Sequence, residues 1–328
     1  TLGLRYSDER KEVVSEYNNS APGAACAAAL ANPALPPAAV GALCSPYADP
    51  AFDDADTYQE RDEERWSGSA KLSYRISPSV MVYGSYANGF KSGGFNLDRA
   101  RVGPGAIQAD TEFDAETVEA FEIGAKTTLF GSSLIANMAA FHQKYEGFQL
   151  NTYTGVSFIV ASIPEVTSKG VDLDILWNTP IYGLTLNGGL TYADTRYGDF
   201  TTPAGAPDGL QGERISYAAE WNLVGGFAYD TYIGTDYKMR LSSSVKWTSE
   251  YNTGSNLDPL KVQDPFALVN SRIGFGDADE AWMLELWANN LFDAEYYQVI
   301  VDQPLQSGTY GGFLGDPRTY GVTARFNF

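Results

Sequence analysis

Through most of its length the chain repeats one pattern: a segment of alternating apolar and polar residues, a tight turn, a second such segment, then a long connector. YKMRLSSSVKWTSE sets Tyr237, Met239, Leu241, Val245 and Trp247 on one side and Lys238, Arg240, Ser244, Lys246 and Glu250 on the other. KLSYRI sets Leu72, Tyr74 and Ile76 against Lys71, Ser73 and Arg75, and GVDLDILWN sets Val171, Leu173, Ile175 and Trp177 against Asp172, Asp174 and Asn178. FEIGAKTTL repeats the alternation with Phe121, Ile123, Ala125 and Leu129. A period of two marks a β-strand whose two faces meet different surroundings.

The tight connectors are Ser77-Pro78-Ser79, Phe130-Gly131-Ser132, Ile181-Tyr182-Gly183, Gly234-Thr235-Asp236 and Gly276-Asp277-Ala278-Asp279, all built from turn-forming residues. The long ones fall near 17–61, 92–114, 151–164, 198–216, 252–264 and 293–316. Because the two kinds alternate, about twelve antiparallel strands carry every tight turn at one end and every long loop at the other, the habit of transmembrane β-barrels. A soluble β-sandwich has no reason to keep that asymmetry. Trp66, Tyr74, Trp177, Tyr192, Trp221, Tyr229, Tyr237, Trp247 and Trp282 tend toward segment ends, where amphipathic rings settle at a membrane boundary.

Composition permits this reading. The 328 residues are 44% hydrophobic, and mean hydropathy is −0.23. No run of 18 apolar residues supplies a helical span, but a transmembrane strand needs only about 9–11 residues, half of them polar. No charged, apolar, small-residue opening of the signal-peptide kind is present, which leaves a cytosolic protein or an N-terminus lying upstream.

Several function classes fall away. With 41 Asp+Glu against 22 Lys+Arg, net charge −19, nucleic acid is a poor partner. His142, the single histidine, sits in FHQKYEG with no nucleophile or metal-ligand spacing around it, and reads as a lumen or rim polar residue; no catalytic residue, metal or cofactor is expected. GFKSGG lacks the phosphate-loop spacing, so Gly93-Gly94 reads as the point where a strand turns into a loop. Asp53, Asp54, Asp56, Asp62, Glu63 and Glu64 read as a solvated acidic loop rather than a cation site. Cys26 and Cys44, 18 positions apart in a Pro/Ala/Gly-rich stretch, are expected to form a loop-stapling disulfide worth roughly 3 kcal/mol of loop entropy, free thiols being the alternative.

Three segments carry a resemblance. VYGSYANGFKSGGFN (82–96) resembles a strand-and-loop signature of the TonB-dependent outer-membrane receptors, NNLFDAEYY (289–297) their penultimate strand and its exit, and PRTYGVTARFNF (317–328) their final strand. The resemblance covers essentially the whole chain. It implies that residues 1–328 are the C-terminal portion of a plugged barrel of about 22 strands, with signal peptide, TonB box and plug domain absent from this chain. It further implies that Tyr320, Val322, Phe326 and Phe328 belong to a C-terminal signal read by the barrel-assembly machinery, the last strand closing on the barrel's first.

The implied activity is TonB-energised uptake of a scarce small-molecule nutrient, foremost a ferric siderophore, across the outer membrane of a Gram-negative bacterium. Its partners are the TonB complex, the assembly machinery, membrane lipid and the nutrient. Phe90, Lys91, Phe95, Asn96, Tyr153 and Tyr310 are candidate ligand contacts, being aromatic or hydrogen-bonding side chains at loop mouths. A passive porin is the alternative; an outer-membrane hydrolase is disfavoured by the missing Ser/His/Asp set.

Overall fold

The computed structural model describes residues 1–18, 22–36, 39–40, 43–44, 55–97, 111–153, 158–203, 206–304, 306 and 308–327. The strands are, in chain order, β1 Leu2–Tyr17, β2 Ala55–Ser77, β3 Val80–Lys91, β4 Gly94–Phe95, β5 Glu112–Phe113, β6 Glu116–Leu129, β7 Leu134–Tyr153, β8 Phe158–Asn178 and β9 Leu184–Tyr197. They continue with β10 Trp221–Ile233, β11 Tyr237–Thr248, β12 Tyr251–Asn252, β13 Val262–Gln263, β14 Phe266–Asp277, β15 Trp282–Asn289, β16 Tyr297–Asp302, β17 Tyr310–Leu314 and β18 Thr319–Phe326.

Twelve of them form one antiparallel sheet in the order β1-β2-β3-β6-β7-β8-β9-β10-β11-β14-β15-β18, each bonded to its sequence neighbour within the sheet. β4–β5, β12–β13 and β16–β17 are small hairpins in the long connectors. Every long connector therefore leaves one end of the sheet. β1 and β18 are its edges and do not pair with each other, so the described sheet is an open wall.

Register assigns the two faces. Residues directly opposite one another share a face, and one ladder row reads Tyr74, Val82, Ala125, Met138, Leu173, Leu190, Leu223, Trp247 across eight strands. The row one residue away reads Arg75, Met81, Lys126, Asn137, Asp174, Gly189, Val224, Lys246. A slip of one residue would exchange the two. On the apolar face Leu72 is 80% exposed, Ile123 67% and Val322 61%, an expanse far beyond the few hundred Å² a soluble monomer leaves bare. That face suits lipid.

On the other face several charged groups are partnered. Tyr83 donates its hydroxyl to Glu122 at 2.7 Å while Lys71 lies 4.0 Å over the Tyr83 ring. Arg240 bonds Asp230 at 3.0 Å and Arg272 bonds Glu285 at 3.0 Å. Aromatic rings bound the apolar band: Tyr6 against Trp66 and Tyr192 against Trp221 toward the loops, Tyr237, Phe275 and Trp282 toward the turns. At the tilt of about 40° usual for transmembrane barrels, the strand from Trp66 to Ile76 is long enough to cross a hydrocarbon band of about 25 Å.

Several expectations need correction. The long connectors are shorter than the sequence suggests, because β1 and β2 pair as far as Tyr17 and Ala55, and β7 and β8 as far as Tyr153 and Phe158. The acidic stretch is thus strand from Ala55 onward: Glu63 is buried at 6% exposure and faces Arg61 and Arg65, while Asp53 and Asp54 lie outside the described residues. The Ala-rich run Ala24–Leu30 is a short helix, α1, as its high helix propensity favours. Cys26 and Cys44 are joined in a disulfide with Cα atoms 5.1 Å apart, over a small core of Ala29, Leu35 and Val40. His142 lies opposite Phe121 and Lys169, on the outer face at the upper margin of the apolar band rather than in the lumen.

Candidate functional site

Above the aromatic band, the β7–β8 hairpin stands as a partition. Its pairing skips Gly147, at φ 65°, and Pro164, which has no N–H to give the ladder, and beyond that point its two faces meet different loops. One face is polar. Gln149 donates to the carbonyls of Ser92 and Asp114 at 2.9 and 3.0 Å, and the Asn96 amide exchanges two bonds with the Val160 backbone at 2.7 and 3.1 Å. The opposite face is apolar: Leu150 and Ile163 pack with Val166, Tyr197 and Leu210 beneath the β9–β10 connector.

The Ser92–Gly94 bend is tied down from the other side as well. Lys11 donates to Ser92 Oγ and to the Gly93 carbonyl, both at 2.7 Å, and the Gly93 N–H donates to Glu63 at 3.0 Å. Arg61 pairs with Glu112. A Cβ on Gly93 would lie 2.5 Å from the Phe113 carbonyl oxygen, so glycine is required there for close approach.

On the apolar side, three connectors are sewn together. Ser255 Oγ donates to Thr152 at 3.0 Å, Thr253 Oγ1 accepts from the Ile300 N–H at 3.1 Å, and Lys261, 4% exposed, bonds Asp302 and Asn256. Tyr310 donates its hydroxyl to Asp258 at 2.7 Å, and the Leu260 N–H donates to the same carboxylate at 2.9 Å. The Leu260 N–H above all, then Tyr310 and Lys261, hold the Asp258 carboxyl below its usual range, and Asp258 in turn pushes the Tyr310 phenol up.

Between these connectors and the hairpin lies a cleft of ≈ 420 Å³, lined by Tyr153, Phe158, Tyr217, Asn256, Lys261 and Asp302 among others. Tyr153 and Phe158 meet at 4.9 Å between ring centroids. Burial, and then the charge of Asp302, raise the Tyr153 phenol. A second cleft of ≈ 390 Å³ opens below, on the lumen face, with Asn222, Lys246, Thr248, Tyr251 and Phe266 in its wall. The outer cleft, mostly apolar with a few placed polar groups, has the make-up of small-molecule sites, and the inner one is the more polar of the two. Among the described residues no group of three or more His, Cys, Asp or Glu could hold a metal.

The six candidate contacts separate in space. Tyr153 lines the outer cleft, and Tyr310 joins its margin through Asp258. Lys91, opposite Glu116, and Phe95, paired with Glu112, lie on the far side of the hairpin. Asn96 spends both ends of its amide on Val160. Phe90 shares the face of Tyr86 and Asn88, outside the wall, beside Trp66. Tyr320, Val322 and Phe326 are exposed on the lipid face, and Phe328 lies outside the described residues. Sequence reasoning did not find Tyr217, Lys261 or Asp302. Lys261 alone left a trace, as the one lysine in the β11–β14 connector.

Residues 1–291 match the family model described as TonB dependent receptor-like, beta-barrel. The chain is 24% identical over 276 residues to the ferrichrome outer membrane transporter/phage receptor of Escherichia coli (strain K12), covering 84% of this chain and 34% of that protein. It superposes on the ferric yersiniabactin uptake receptor FyuA from Yersinia pestis with a TM-score of 0.68 at 16% identity, over 83% of this chain and 39% of that one. On the copper transporter OprC the TM-score is 0.63 at 13% identity, over 85% of this chain and 41% of that one. The chain spans only about a third to two fifths of the length of these proteins. A two-faced wall with every long connector at one end, together with a family match over most of its length, leads to one assignment: the chain belongs to the TonB-dependent receptor family, as part of a β-barrel of the Gram-negative outer membrane.

Proposed function

We propose that the protein containing this chain binds a scarce nutrient at its outer mouth and imports it with energy delivered through TonB, the nutrient being a ferric siderophore or similar iron complex. The supporting observation is that the outer strand ends are sewn loop to loop around clefts of small-molecule size. A passive pore gains nothing from such a mouth, and the family match does not favour the porin alternative. On this reading residues 1–328 are the C-terminal portion of a barrel of about 22 strands, and the plug and TonB box belong to the rest of the protein. The edge strands β1 and β18 are then where the remaining strands join, with the barrel-assembly machinery as folding partner.

The test is growth in chelator-limited medium of a strain deleted for the full-length gene, with and without a plasmid copy. The reading predicts restoration of growth by the copy when iron is supplied as the organism's own chelates, and no restoration in a tonB-deleted strain. Equal growth in all strains would overturn it.

A further inference from the structure

Tyr217 belongs to both clefts: it lines the outer one with Tyr153 and Lys261 and the inner one with Lys246 and Phe266. Its backbone is left-handed, at φ 59°, a conformation that a bulky side chain rarely adopts. The Tyr217 N–H donates to the Asn252 carbonyl at 2.8 Å, which pins that conformation to the neighbouring connector. Such outliers persist where the surroundings over-determine them, and they gather at functional sites. What the backbone achieves here is to aim an aromatic ring, still 55% exposed, at the junction between two spaces.

The ring is the first of a series. Tyr217 and Tyr251 lie 6.1 Å apart between centroids, and Phe266 and Tyr296 stack at 4.5 Å with planes 8° apart. Phe266 lies opposite Thr248 in the ladder, so it shares the lumen face with that residue. Lys246 is on the same face, in the row of Asp174 and Val224, and makes no ion pair with any described residue. Of the lysines deeper in this wall, Lys238 pairs with Glu280 at 2.6 Å and Lys71 sits over Tyr83, while Lys126, on β6 and away from the cleft, does not line it. The inner cleft therefore offers aromatic faces and one uncommitted ammonium.

We propose that Tyr217 is a specificity-determining residue of the path from outer to inner cleft, selecting a chelate with a flat aromatic ring that stacks on it and presents a carboxylate or phenolate oxygen to Lys246. This rests on the uptake reading and names the ligand class within it. Aromatic stacking supplies the selection and a charge-assisted bond fixes orientation.

The test uses full-length receptor in outer-membrane vesicles, titrated with two probes, ferric salicylate and ferric acetohydroxamate, and read by quenching of intrinsic fluorescence. Ferric salicylate is expected to bind the wild type more tightly. Tyr217→Asn, which tolerates the left-handed backbone but lacks the ring, and Lys246→Gln should each weaken ferric salicylate about tenfold and leave acetohydroxamate within about twofold. Tyr217→Phe should retain salicylate binding. Heat-modifiable gel mobility confirms that each variant is inserted. Equal binding of the two probes by the wild type, no binding of either, or equal weakening of both by the variants overturns the proposal. If iron-limited growth through the receptor persists alongside any of those results, the uptake reading stands and only this inference falls.

Discussion

Gly93 gives its backbone N–H to the buried carboxylate of Glu63 at 3.0 Å, and with the Arg61–Glu112 pair that bond joins a loop over the lumen mouth to the second strand of the wall. The Phe113 carbonyl and the Arg61 guanidinium crowd the space where a side chain on Gly93 would sit. Gly93→Ala is expected to displace the bend by overpacking, at a cost of about 1–3 kcal/mol confined to the loop. Limited proteolysis of inserted receptor should then cut within residues 92–115 faster than in wild type, while heat-modifiable mobility of the barrel is unchanged. An unaltered cleavage rate would contradict the latch.

The Asp258–Tyr310 bond between the β11–β14 and β15–β18 connectors carries a pH window. A carboxyl held below its ordinary 3.8 adds stability above that value, and the contribution is lost as pH falls through the depressed pKa. A phenol raised above 10.0 adds stability below that value, lost as pH rises through the elevated one. The two connectors should therefore stay joined between about pH 4 and pH 10. Spin labels, one on each connector, are expected to give a narrow distance distribution at neutral pH that broadens in acid. In Asp258→Asn the distribution should be broad already at neutral pH, and a narrow one there would refute the assignment.

The two faces predict opposite responses at adjacent positions. Ile273 lies between Leu241 and Leu286 on the apolar face, and Arg272 bonds Glu285 on the other. Ile273→Arg puts a charge against lipid at a cost of about 2–4 kcal/mol near the midplane, and should lower the amount of inserted barrel. Arg272→Gln should leave insertion near wild type. The reverse ranking, measured as heat-modifiable receptor in the outer membrane, would mean that the faces are exchanged.

Within the membrane the architecture was legible because lipid on one side and a polar lumen on the other impose a period of two, as in Leu241 to Trp247. Outside it the signal vanishes, since both faces meet water or a loop. The charged run YQERDEE, Tyr58–Glu64, therefore reads as loop, although Arg10 and Asp62, and Lys11 and Arg61, stand in register as strand. The glycines of GFKSGG were recognised as a bend, but the need for them comes from Phe113 and Arg61, distant in sequence, whose approach no local pattern announces. Tyr153 is legible as an aromatic at a loop mouth, and it lines the outer cleft. Tyr217 is not legible, because its left-handed backbone depends on a hydrogen bond to Asn252 in a different connector, and nothing in SYAAE signals it.

Energised import through this mouth is tested most directly by following radioactive iron. Cells expressing the full-length receptor are given iron-55 as the organism's own chelate, with and without an uncoupler that collapses the proton-motive force, and surface-bound iron is separated from internalised iron by a chase with unlabelled chelate. The account predicts that surface binding survives the uncoupler while internalisation collapses. Internalisation that continues at the same rate in de-energised cells would make the barrel a passive pore and contradict the account.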